Sequence, residues 1–146
     1  DELRKHFDGF DVVVHLAAYG SVVESINDPL PNFQVNVEGT LSVLEAIKTS
    51  TISRIVFSST GGAIMGNTPP PVSEVSLPSP ISPYGASKLC CEGYIRAYSE
   101  SYGIDAVIFR FANVYGNFSA HKKGAVTKFI KSTLVQVMDN LVKTDL

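Results

Sequence analysis

The chain has 146 residues, 45% of them apolar and 18% charged, with a formal net charge of -2, which are the size and proportions of one domain with a real core. So mild an acidity gives no reason to expect nucleic acid or an anionic membrane as a partner, and apolar runs such as "VVVHLAA" are far too short to span a bilayer. The only cysteines, Cys90 and Cys91, are neighbours, which excludes a disulfide framework and suits reduced thiols in a cytoplasmic protein.

In chain order, a charged, helix-like start "DELRKHF" leads to "DVVVHLAA" (11–18), a continuous β-branched run of the kind that forms a strand buried on both faces. Over 29–50, Phe33, Val37, Leu41, Leu44 and Ile47 recur at three- and four-residue spacings, the mark of an amphipathic helix. "SRIVFSS" (53–59) reads as a second buried strand. The stretch 61–83 carries Gly61, Gly62, Gly66 and prolines 69, 70, 71, 78, 80 and 83; it reads as a long loop without regular structure, of the kind that serves a site. A helix is expected over 82–102, stopped by Gly103, then a third buried strand over 104–112 and a last helix over 124–134. The tail 135–146 reads as atypical, and both ends suggest a piece of a longer protein.

Strands alternating with helices predict an α/β fold, a parallel sheet flanked by helices. In such sheets ligands bind beyond the carboxyl ends of the strands. The positions that matter are therefore Ala17 and Ala18, Ser58 to Gly62, and Ala112 to Gly116. Just past the loop, "SPYGASKLCCEGYI" sets Tyr84 and Lys88 one helical turn apart near a helix start. An ammonium beside a phenol favours the phenolate, and so does the positive end of a helix dipole. The pair suits a tuned base, although the same spacing also describes a packed tyrosine with a solvated lysine. Thr60, at the end of the second strand, can exchange hydrogen bonds with a substrate oxygen. The glycines after it would let a planar ligand approach the backbone. His15, inside a buried strand, reads as a satisfied core histidine, and no metal-ligand spacing is present.

Taken together, "DVVVHLAA", "SVVESINDP", "NVEGTLSVLEA", "RIVFSSTGGAIMG", "PYGASK" and "RFANVYG" resemble the extended short-chain dehydrogenase/reductases, in particular the NAD-dependent epimerase/dehydratase group. The resemblance covers about residues 1–134 and implies the central part of a Rossmann-type, NAD-binding domain. It implies Tyr84 as catalytic acid/base, Lys88 as the group that bonds the nicotinamide ribose and lowers the tyrosine's pKa, and Thr60 as the partner of the reacting hydroxyl. Leu16, Ala17, Ala18, Asn36 and Ser58 would contact the cofactor, Phe111 and Ala112 would approach the nicotinamide, and Asn113 would meet the phosphates of a nucleotide-sugar substrate. Several members of the group form homodimers through helices matching 30–49 and 83–102, and the resemblance implies the same for the full-length protein.

Gly61-Gly62 after the threonine looks like a UDP-glucose 4-epimerase. A UDP-glucuronate epimerase or decarboxylase, a keto-sugar reductase and a non-catalytic NAD-sensing protein are the alternatives. Three features depart from the group's pattern. The chain contains no glycine-rich pyrophosphate turn, Met65 replaces a usual tyrosine, and Asn117 replaces a usual proline.

Overall fold

The computed structural model describes residues 2–118 and 125–144. Its backbone contacts divide into two units, 1–112 and 113–146. The first unit holds a three-stranded parallel sheet in the order β1 (Val12–His15), β2 (Arg54–Thr60), β3 (Asp105–Phe111). Register pairs Val12 with Arg54, His15 with Phe57, and Thr60 with Phe111, so all three strands end on one edge. The first crossover carries α2 (Val22–Asn27), α3 (Pro29–Phe33), a π-helical turn (Gln34–Glu38) and α4 (Gly39–Lys48). The second carries α5 (Gly61–Met65) and α6 (Pro83–Tyr102); a short α1 (Glu2–Lys5) precedes the sheet. The parallel α/β architecture expected from the sequence is present.

The core forms where α4 and α6 lie on one face of the sheet. Ile55 and Phe57 from β2 meet Leu44 and Ile47 from α4 and Ile95 from α6, all essentially inaccessible to water. Each such side chain contributes roughly 1.5–3 kcal/mol of burial. Alternation along β2 follows: Ile55, Phe57 and Ser59 are buried, while Val56, Ser58 and Thr60 are only partly covered. Burial of the strands on both faces, as their β-branched runs suggested, is not what the fold has. Val14 is 58% exposed and Phe109 48% exposed, because α4 and α6 cover the opposite face.

Three further differences have local causes. The 29–50 helix is continuous but not uniform: its π-helical turn shifts the phase of the helix, so Phe33 faces outward while Asn32 and Asn36 are buried. Residues 61–83 are not wholly irregular, since Thr60 caps α5 by accepting from the Ala63 N–H, and Ile64 and Met65 bury themselves. α2 has no apolar repeat long enough to announce it; its signal is the N-cap Ser21, whose hydroxyl accepts from the Glu24 N–H. In the second unit, α7 (Ala125–Thr144) runs ten residues past the expected end at 134, through a stretch without glycine or proline. No helix among the described residues is long and apolar enough to cross a membrane.

Candidate active site

Parallel pairing brings the strand ends together, placing Leu16–Ala18, Ser58–Gly62 and Ala112 along one edge of the sheet. Leu16, Ala17, Ala18, Phe111 and Ala112 are exposed there. α6 begins at the same edge. Ser82 is its N-cap, with Oγ accepting the Gly85 N–H at 3.1 Å, and Pro83 is its first residue. Gly85 lets that first turn seat on α5, because a Cβ at this position would stand 2.2 Å from the carbonyl oxygen of Ala63. Gly61 has a related role: a Cβ there would press within 3.3 Å of the Arg110 carbonyl oxygen, so this glycine serves the approach of β3. Gly62, unlike Gly61, has open space around it and leaves room of the kind a ligand could use.

Tyr84 and Lys88 project from successive turns of α6 toward β2. Lys88 is 3% exposed. Its ammonium donates to the Ser58 carbonyl at 2.8 Å and lies 4.5 Å from the centre of the Phe57 ring. Burial pushes its pKa below the usual lysine value. Among the described residues no carboxylate stands within ion-pair distance of it. An ammonium has three N–H donors, so two remain for a ligand. Tyr84 is half-buried; burial raises its phenol above the usual value, and the neighbouring Thr60 hydroxyl offsets only part of that rise. The lowering by Lys88 that the spacing suggested is not part of this balance, because the ammonium is turned to Ser58 beneath the strand end. Tyr84 and Thr60 are therefore brought together directly, and Lys88 lies under them.

Ser58 contributes its backbone oxygen to this arrangement. Asn36 is 2% exposed, and its amide holds the segment after β1 from behind. Its Oδ1 accepts the Tyr19 N–H at 2.7 Å, and its Nδ2 donates to the Tyr19 carbonyl at 3.2 Å and to Ser87 Oγ at 3.0 Å. His15 is the satisfied core histidine expected. Its Nε2 lies 3.0 Å from Thr40 Oγ1, whose own proton goes to the Asn36 carbonyl at 2.5 Å, so Nε2 is the protonated nitrogen. Burial, and secondarily the Lys88 charge, lower its pKa and keep it neutral. Asn113 belongs to the second unit.

A second, partly buried cluster joins β3 to α6 with no sequence motif to announce it. Arg110 of β3 pairs with Glu92 of α6, at 2.7 Å for the shortest contact, and Ser59 Oγ donates to the same carboxylate at 2.6 Å. The guanidinium also donates to the Glu74 carbonyl at 3.2 Å, which pins the 61–83 segment to the sheet. Beneath that segment lies a cavity of about 310 Å³ lined by Gly61, Gly62, Met65, Thr68, Glu74 and Arg110. A larger one of about 780 Å³ between α6 and β3 contains none of Tyr84, Lys88 and Thr60. The smaller cavity is the one that adjoins the chemistry, since Gly61 follows Thr60 directly.

A half-buried phenol beside a hydroxyl, a buried cation with donors to spare and exposed small residues at a strand end suit a ligand rich in hydroxyl groups. The model of the NAD dependent epimerase/dehydratase family matches residues 1–144. A putative UDP-glucose 4-epimerase of Methanocaldococcus jannaschii is 39% identical over 132 residues, 88% of this chain and 43% of that protein. Among solved structures, a UDP-N-acetylglucosamine 4-epimerase from Methanobrevibacter ruminantium, in complex with UDP-N-acetylmuramic acid, superposes with a TM-score of 0.84. It is 34% identical, covering 93% of this chain and 45% of its own. The Thermus thermophilus UDP-glucose 4-epimerase in complex with NAD gives a TM-score of 0.77 at 40% identity, with 83% of this chain and 40% of its own covered. The chain thus spans less than half the length of these relatives, yet its match to the family runs nearly end to end: it belongs to the NAD dependent epimerase/dehydratase family.

Proposed function

We propose that this chain carries the acid/base residues and part of the NAD site of a UDP-sugar 4-epimerase. The observation that carries the reading is the meeting of Tyr84, Thr60 and the buried Lys88 at the carboxyl edge of a parallel sheet. Bound NAD would accept a hydride from C4 of the sugar and return it to the other face of the 4-keto sugar. Tyr84 takes the proton of the 4-hydroxyl as the hydride leaves and gives it back after the keto sugar has turned. Thr60 holds the same oxygen by a hydrogen bond. The N–H groups of Lys88 not engaged by Ser58 would bond the nicotinamide ribose. Leu16, Ala17 and Ala18, with Phe111 and Ala112, would line the cofactor, and Asn113 would meet the phosphates of the sugar nucleotide.

UDP-glucose and UDP-galactose are the favoured substrates. Relatives named UDP-glucose 4-epimerase reach 41% identity, against 37% for a UDP-glucuronic acid 4-epimerase, a narrow margin to which the strand-end glycines add. Gly61-Gly62 leaves no carboxylate beside Thr60 for an elimination. The test is Tyr84→Phe in a preparation that converts UDP-galactose to UDP-glucose. Turnover should fall by about 10²–10⁴-fold, the worth of a positioned acid/base. Near-normal turnover would reject the mechanism, and preferential turnover of UDP-glucuronate would reject the substrate.

A further inference from the structure

Tyr84 is the second residue of α6, where a backbone N–H has no carbonyl one turn back to bond. That N–H donates instead to Ser25 Oγ of α2, at 3.1 Å and 59 residues away in the chain. Ser25 is inaccessible to water and spends its own proton on the Val22 carbonyl at 2.7 Å. The carbonyl of Tyr84 is held too, by the Ser87 hydroxyl at 2.9 Å. An amide nitrogen can only donate, so the 3.0 Å contact from Asn36 Nδ2 forces the Ser87 proton onto Tyr84. Asn36 clasps both backbone groups of Tyr19, and Asn32 donates to the same Tyr19 carbonyl at 2.8 Å. Tyr19 directly follows Leu16–Ala18.

We propose that Ser25, Asn36 and Ser87 are positioning residues that tie the backbone of Tyr84 to the segment after β1, so that the base and the cofactor-side loop form one rigid unit. This rests on the reading of Tyr84 as the base. Apolar side chains would pack α6 against α2 and α3 at least as favourably, since buried polar groups gain little net stability. What they would not supply is direction. Hydrogen bonds to the N–H and the carbonyl of one residue fix the rotation of the first turn of α6, and with it the aim of the phenol.

The test begins with amide exchange in the ¹⁵N-labelled chain. Ser87→Ala should speed exchange of the Tyr19 amide about tenfold or more while Ile55 and Phe57 in β2 stay unchanged, because only a local opening is released. In a preparation that turns over UDP-sugar, the same variant should lower kcat about tenfold with KM within about twofold, as misaimed groups do. Ser87→Thr, which restores the hydroxyl, should recover both. Unchanged Tyr19 exchange, or an unchanged kcat, overturns the proposal. Should Ser87→Ala fail to fold, Ser25→Ala carries the same test, read at the Tyr84 amide and in kcat. Full turnover by Tyr84→Phe would instead remove the acid/base reading, and the exchange experiment would still decide whether the tie exists.

Discussion

Lys88 is costly to keep where it is. Its ammonium is nearly inaccessible, bonded to one neutral carbonyl and an aromatic face, with burial lowering its pKa as the leading effect. A buried charge without a full partner is a net loss to the fold, which apolar replacement of similar length relieves. Lys88→Met should therefore stabilise the chain, by about 1 kcal/mol, while abolishing turnover in any active preparation. The sign of the pH effect follows from the lowered pKa. The folded protein binds fewer protons than the unfolded chain between the folded value and 10.5, so wild-type stability gains with rising pH in that window. Lys88→Met should lack this gain. Urea midpoints for both proteins from neutral to alkaline pH measure it, and a variant less stable than wild type at pH 7 would refute the account.

At the scale of the element, the first turn of α6 shows why packing outranks propensity. Alanine is a better helix former than glycine by about 1 kcal/mol, so propensity alone favours Gly85→Ala. Sterics oppose it: the added methyl would stand 2.2 Å from one backbone atom of Ala63 and 2.9 Å from another, neither the end of a flexible side chain. Gly85→Ala should cost about 1–3 kcal/mol, the usual price of overpacking, and part Tyr84 from Thr60. A urea midpoint equal to wild type would show that α5 yields. The strands and α6 were legible in the sequence because apolar runs and the breakers that bound them are local signals. The π-helical turn, Ser25 and the Arg110–Glu92 pair were not, since each is fixed by partners 18 to 59 residues away or by a phase shift that no spacing announces. Asn36 was singled out, but its bonds to Tyr19 and Ser87 depend on where the segment after β1 folds back.

Across the whole molecule, the sheet is dressed on one face and bare on the other, with Val12, Val14, Phe109 and Phe111 all more than two-fifths exposed. Parallel sheets ordinarily bury both faces, and this chain spans 43% of the M. jannaschii relative and 40% of the T. thermophilus enzyme that binds NAD. The cofactor groups it contains are unevenly distributed. On the proposed reading, Lys88 and Tyr84 would serve the ribose and nicotinamide end and Leu16–Ala18 the phosphate and ribose region, whereas no glycine-rich turn feeding a helix N-terminus is present among the described residues for the pyrophosphate. Two phosphate charges without that cradle would be left largely to water. Calorimetric titration of this chain with NAD should accordingly show binding much weaker than about 1 μM, that is, well short of 8 kcal/mol. Lys88→Met should weaken it further. An affinity at or below about 1 μM would mean that the strand-end segment and Lys88 suffice to hold the dinucleotide, and that the pyrophosphate finds a cradle elsewhere in these residues.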